Sequence, residues 1–137
     1  MLSNADIERA RKEARRRELN RQLTRVNGQI YSVEQLITNF QNQKNAMQDF
    51  SDEWTRAKER AMASEIVQSI KVSKVFEGDI ADKYSTELPE KIRNMDSNNI
   101  KARSVITMTQ SQITKLNTHK STLESRKRGI VSELNSL

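Results

Sequence analysis

The chain has 137 residues, of which 34% are hydrophobic, 31% charged and only 4% aromatic. Average globular domains are about 45–50% apolar, so this composition argues against a compact globule and favours long helices that each bury a narrow stripe. The absence of cysteine excludes disulfides and thiolate metal sites, and no apolar run approaches the roughly 18–20 residues of a membrane span.

The net charge of +6 is unevenly distributed along the chain. Arg and Lys outnumber Asp and Glu by eight to five in residues 1–40 and by seven to two in residues 101–137. Residues 41–100 carry nine basic and eleven acidic side chains. An antiparallel fold would therefore bring two basic ends together around a mildly acidic middle.

The first predicted element is a helix over about residues 4–73. Ser3 followed by Asp6 resembles a capping box and marks its start. A heptad stripe with alternating spacings of four and three then faces another helix. Its members are Leu19, Leu23, Val26, Ile30, Val33, Ile37 and Phe40. Residues 49–52 include several cap-forming types, which makes an interruption of the helix conceivable at that point.

Aromatic residues beyond this stripe are candidates for partner contact. Phe50 and Trp54 lie four residues apart and so share one helical face. They either continue the core or form an aromatic anchor, since binding energy often concentrates in such residues. The complete set of partner-contact candidates is Phe50, Trp54, Phe76 and Tyr84.

A turn is predicted at about residues 74–80, within a window of 74–90. Gly78 tolerates open backbone conformations, and Asp79 suits the start of a new helix. The second helix then covers about residues 80–136, with a kink near 89–99 because Pro89 disturbs a helix interior. The turn itself reads Phe76-Glu77-Gly78.

The second helix carries a matching but more polar stripe. Its principal apolar members are Ile113, Leu116, Leu123, Ile130 and Leu134, while Lys120 and Lys127 occupy seam positions. A fold about Gly78 would place Leu19 opposite Leu137 and Val33 opposite Leu123. The predicted fold class is therefore all-α, a long antiparallel two-helix hairpin that resembles a coiled coil and forms a single elongated domain over residues 1–137.

An aromatic-x-Gly turn between two long helices resembles the WXG-motif helical-hairpin proteins of the Gram-positive type VII secretion system. Phe76 stands where that family typically has Trp, with Gly78 two residues later. The nearest likeness is to the basic small proteins that accompany LXG-domain toxins. The resemblance implies a bacterial targeting factor that acts like a chaperone: it binds the helical N-terminal region of a toxin, alone or with a second small helical partner, and aids its export.

The residues themselves leave three functional hypotheses open. The first is this export partner, stable mainly in its complex. The second is a basic coiled coil that binds nucleic acid non-specifically, although acids interleave with the arginines of residues 9–17 and argue against it. The third is a structural coiled coil that self-associates, for example as a homodimer. We expect cytoplasmic synthesis, with any export following a route that does not use a signal peptide.

Catalysis is not expected. His119 is the only histidine, and no cysteine or carboxylate–histidine cluster provides a metal site or a nucleophile with its base. The three isolated glycines form no phosphate-binding loop. The sequence therefore predicts no enzyme and no cofactor.

Overall fold

A computed structural model of the chain describes residues 2–63 and 79–137, with the backbone alone at residue 62 and over residues 79–88. The described chain forms two helices, α1 (Asn4–Ala63) and α2 (Asp79–Ser136). The all-α hairpin expected from the sequence is confirmed. Residues 64–73 of the predicted first helix and the Phe76-Glu77-Gly78 motif lie outside the described residues.

The start of α1 is capped as the sequence predicts. The Ser3 hydroxyl donates a hydrogen bond to Asp6 Oδ2 at 2.7 Å and accepts one from the Asp6 amide at 3.2 Å. The Ser3 amide also donates to Asp6 Oδ2, at 3.3 Å. This reciprocal pattern satisfies amide groups that have no partner within the helix, with Asp taking the place of the usual Glu.

Both helices are continuous where interruptions were considered. α1 runs through residues 49–52, and Ser51 is buried there. Packing of this position against α2 outweighs the preference of its neighbours for helix caps, because tertiary contacts override weak local propensities. α2 contains Pro89 and residues 94–99 without a break. A change in axis direction near 89–99 stays a prediction.

The helices divide into two compact units. Unit 1 comprises Met1–Phe40 and Ser111–Leu137. Its core contains Leu19, Val26, Val33, Leu123 and Ile130. An ion pair joins Arg15 to Glu133 at 2.7 Å, and another joins Lys120 to Glu34 at 3.4 Å. Glu34 follows Arg15 along α1, whereas its partner Lys120 precedes Glu133 along α2. The helices of unit 1 therefore pair antiparallel.

Unit 2 comprises Gln41–Gln110. Lys44 Nζ donates a hydrogen bond to Gln110 Oε1 at 2.7 Å, and Lys58 pairs with Asp96 at 2.5 Å. This order of contacts is again antiparallel. Lys58 lies fourteen residues after Lys44, and Asp96 lies fourteen residues before Gln110, so the register stays constant between the two contacts.

The polar contacts across the two helices do not define a single register. In a fold about Gly78, Glu34 would lie opposite Thr122 and Lys58 opposite Asn98, and their partners Lys120 and Asp96 lie two residues from those positions. Arg15 pairs with Glu133, which is six residues out of step with both pairs. Long side chains reach past the facing residue and the apolar stripe repeats along the helix, so the register of a fold about Gly78 stays a prediction. The pair with Glu34 also gives the seam residue Lys120 a carboxylate, which apolar periodicity cannot reveal.

Leu19 provides the sharpest test of this packing because its side chain is 1% exposed. Leu19→Ala should lower the free energy of unfolding by about 2–5 kcal/mol, through lost burial and the cavity left behind. Leu36→Ala, on the same helix but 46% exposed, should change it by less than about 0.5 kcal/mol. Urea unfolding followed by circular dichroism measures both, and equal losses would contradict the assigned core.

Candidate functional site

The predicted seam residues all lie in unit 1. Six of them are buried: Leu19, Val26, Val33, Ile113, Leu123 and Ile130. The other six are half-buried: Leu23, Ile30, Ile37, Phe40, Leu116 and Leu134. No member of the set is exposed. Unit 1 therefore has an apolar seam between its two helix segments, interrupted on α2 by Lys120 and Lys127.

Unit 2 has a much more polar seam. Ser51, Asn99 and Thr109 are its buried polar residues, and Ala102 is the only buried hydrophobic residue in the described part of the unit. Asn99 Oδ1 is enclosed and accepts no hydrogen bond from any described residue. A buried acceptor without a partner costs about 1–3 kcal/mol. The pairing of these two segments thus gains little from hydrophobic burial.

A polar cluster of Trp54, Lys58 and Asp96 links the two segments of unit 2. Trp54 Nε1 donates to Asp96 Oδ1 at 3.2 Å, while Lys58 Nζ contacts Asp96 Oδ2. The hydrogen bond from Lys58 is the main cause that holds the pKa of Asp96 below its ordinary value. Desolvation by burial acts in the opposite direction and raises this pKa. The hydrogen bond from Trp54 and the positive charge of Lys58 lower it further. The half-buried indole of Trp54 is therefore used within the chain.

The other predicted contact aromatics differ in their placement. Phe50 is 48% exposed and does not belong to the core. Phe76 lies outside the described residues, and Tyr84 lies on α2 where only the backbone is described. The structure thus presents Phe50 as an available aromatic surface, whereas Trp54 is engaged with α2.

Unit 2 also exposes apolar residues, and Phe50 is the only one of them that the sequence predicted as a contact residue. Six of the ten exposed large hydrophobic residues in the described chain lie in this unit. They are Met47, Phe50, Met95, Ile100, Val105 and Met108. Apolar residues that fall outside the heptad stripe are the signal that could have identified most of them. These exposed side chains are available for contact with a partner.

A shallow cleft of about 360 Å³ lies on one flank of unit 2. Its lining comes from both helices: Gln48, Ser51, Asp52, Arg103, Ile106 and Thr107. Asp52 and Arg103 supply one charge of each sign, and Ser51 and Ile106 form the floor because they lie on the seam. The cleft is open to solvent and can receive side chains from a docked helix.

The arginine-rich start of α1 is exposed. Arg15 is used in the ion pair with Glu133, and the acids Glu8 and Glu13 interrupt the remaining positive charge. His119 is also exposed. In the described chain, no cluster of three or more acidic, histidine or cysteine residues could hold a metal ion, and neither helix is long and apolar enough to cross a membrane.

No family model, curated protein or solved structure matches this chain. The resemblance to the WXG-motif proteins therefore depends on the turn motif and on the pairing of two long helices. The helical pairing is present in the structure, while the motif lies outside its described residues.

The Asp96 cluster predicts an acid-dependent loss of stability. Because folding lowers the pKa of Asp96 from its ordinary value of 3.8, the stabilisation is fully present above that value. It is lost as the pH falls below 3.8 and through the lower folded pKa. The unfolding midpoint of the wild type should therefore fall more steeply with acid than that of Asp96→Asn. Asp49→Asn, an exposed control, should follow the wild type; a profile like that of Asp96→Asn would contradict the assignment.

Asn99 predicts a substitution that stabilises the isolated chain. Asn99→Leu has a similar shape and removes the unpartnered buried oxygen, so it should raise the free energy of unfolding by about 1 kcal/mol or more. Urea unfolding of both proteins measures the change. Asn98→Leu, at an exposed neighbouring position, provides the control, and a loss of stability on Asn99→Leu would show that the amide is satisfied within the fold.

Proposed function

We propose that this chain is a non-enzymatic interaction protein whose unit 2 completes a helical bundle with a larger helical protein. The observation that carries the proposal is the contrast within unit 2. The buried residues of its seam are small or polar, whereas several large apolar side chains are exposed on its surface. A unit of this kind gains more burial from added helices than from its own pairing.

Ile100 and the cleft define the surface proposed for this partner. Ile100 is 68% exposed and lies three residues before Arg103, so the two share neighbouring positions on α2. A partner helix that covers Ile100 would bring its own side chains over Asp52 and Arg103. These charges would select the orientation of that helix, because opposite charges across an interface favour one alignment over others.

An LXG-type toxin is the partner that the family resemblance supports. In this proposal the chain binds the helical N-terminal region of the toxin, with or without a second small helical protein, and accompanies it to the export machinery. The Phe76-Glu77-Gly78 turn would contribute to the recognition end of the complex. Such a role requires surface complementarity and needs neither a catalytic residue nor a cofactor.

Co-purification tests this proposal. The full chain is co-expressed with the helical N-terminal region of a large protein encoded beside it, and the complex is analysed by size-exclusion chromatography with light scattering. We expect a complex of fixed stoichiometry. Ile100→Asp should weaken it by at least tenfold because a carboxylate replaces buried apolar surface, whereas Tyr31→Asp, at a 64% exposed site of unit 1, should leave it intact.

Two results would overturn the proposal. One is the absence of any complex with helical regions of this kind. The other is a shift of duplex or single-stranded nucleic acid that weakens steeply with salt, which would identify a phosphate-binding protein instead.

A further inference from the structure

The first turns of α1 lie outside the core of unit 1. Residues 2–17 are all exposed, and Leu19 is the first buried residue of the helix. A helix that packs against another element hides a stripe about 100° wide. Since residues 4–17 show no such stripe, no other described residue covers them. This part of α1 is therefore a single helix whose whole surface is accessible.

The heptad line of the seam continues into this exposed segment. Counting back from Leu19 by the same alternation of three and four residues gives Arg16, Lys12 and Arg9. We call these three residues the cationic stripe. They lie within about 60° of one another around the helix axis, because successive residues are about 100° apart. The line that carries apolar residues in the core of unit 1 thus carries positive charge beyond it.

The cationic stripe belongs to the unit that holds the entire net charge of the protein. Unit 1 contains thirteen basic and seven acidic residues, whereas unit 2 contains eleven of each. Four acids of unit 1 are already ion-paired: Glu18, Glu34, Glu124 and Glu133. The stripe forms no ion pair with any described residue. Its charge is therefore uncompensated within the described chain.

Elsewhere in unit 1, cations between the two helices are met by carboxylates of the facing helix. Lys120, on the seam of α2, pairs with Glu34 of α1 at 3.4 Å. Arg15 of α1 pairs with Glu133 of α2 at 2.7 Å. The long stems of such cations can pack on apolar surface while their charged ends reach the carboxylate. A helix that lies along the cationic stripe would extend this pattern by offering carboxylates to all three of its residues.

Glu8 distinguishes an acidic helix from a uniformly anionic surface. It precedes Lys12 by four residues and so lies on the same side of α1. A nucleic-acid duplex or an anionic membrane would bring phosphate groups against this carboxylate, and like charges repel. The segment also has only two large apolar side chains, Leu2 and Ile7, for insertion into a membrane. A helix can instead place a lysine or an arginine opposite Glu8.

We propose that this segment of α1 binds an acidic helix of another protein, whose carboxylates pair with the cationic stripe. The bound helix carries acidic residues at alternating spacings of three and four, with a basic residue that faces Glu8. Single exposed ion pairs are weak, so affinity requires several in line and falls as salt is added. The inference does not depend on the toxin proposal, because the surface proposed for the toxin lies on unit 2.

Fluorescence anisotropy of two labelled synthetic peptides, titrated with the full chain, tests the proposal. The ordered peptide is an alanine-based helix whose glutamates recur at alternating spacings of three and four, with one lysine beside them. The scattered peptide has the same composition, but its glutamates are distributed around the helix. We expect the ordered peptide to bind at least tenfold more tightly at about 50 mM salt, and to lose about tenfold in affinity at about 300 mM salt.

Two matched double variants locate the contact. Arg9→Glu with Arg16→Glu reverses two charges of the cationic stripe and should weaken binding of the ordered peptide at least tenfold. Arg11→Glu with Arg17→Glu makes the same charge change on the same turns, but at positions about 80° or more from the stripe. This control should alter the dissociation constant less than about threefold. Circular dichroism should show the same helicity for both variants.

A charge exchange provides a gain of binding as a further test. A third peptide carries lysines in place of the glutamates of the ordered peptide. It should bind the Arg9→Glu, Arg16→Glu variant more tightly than it binds the wild type, because the ion pairs re-form with exchanged signs.

Four outcomes would overturn the inference. The first is the absence of binding to the ordered peptide. The second is equal binding of the ordered and scattered peptides, which would show attraction by net charge alone. The third is an equal loss of binding in the two double variants. The fourth is tighter binding of a DNA duplex or of phosphatidylserine vesicles through the same stripe, which would assign the segment to phosphate groups instead.

Discussion

The antiparallel apolar seam of unit 1 is the constraint on which the rest of the structure depends. Leu19, Val26 and Val33 on α1 pack with Leu123 and Ile130 on α2. Each helix alone would be a charged rod with a narrow apolar stripe, and helices in proteins gain most of their stability from packing such a stripe against another element. Burial of this seam aligns the two segments of unit 1.

The two segments of unit 2 are held together in a different way from those of unit 1. Its segments are held by directional polar contacts, notably Trp54 and Lys58 with Asp96 and Lys44 with Gln110. Polar seam positions select register and partner at a cost in stability. The apolar residues that could have strengthened its own seam lie instead on its surface, where they are available to other helices.

The charged residues of unit 2 occupy different places in this arrangement. Asp96 is committed to an internal cluster, which lowers its pKa, whereas Asp52 and Arg103 border the cleft and Glu53 and Lys101 are exposed without lining it. Of the sequence neighbours Asp52 and Glu53, therefore, only Asp52 lines the cleft. A helix separates adjacent residues by about 100°, so an acidic pair in the sequence is not an acidic patch in the structure.

The sequence by itself determined the helical class, the cap formed by Ser3 and Asp6, and the seam of unit 1, because each depends on local chemistry or on a regular heptad period. It did not determine the polar partners of Lys58 and Lys120, since a long side chain can reach several residues. The tertiary structure alone decided that Trp54 bonds to α2 while Phe50 lies open to solvent. It also decided that Asn99 Oδ1 is buried without a partner among the described residues, because burial depends on what the facing helix places opposite each residue.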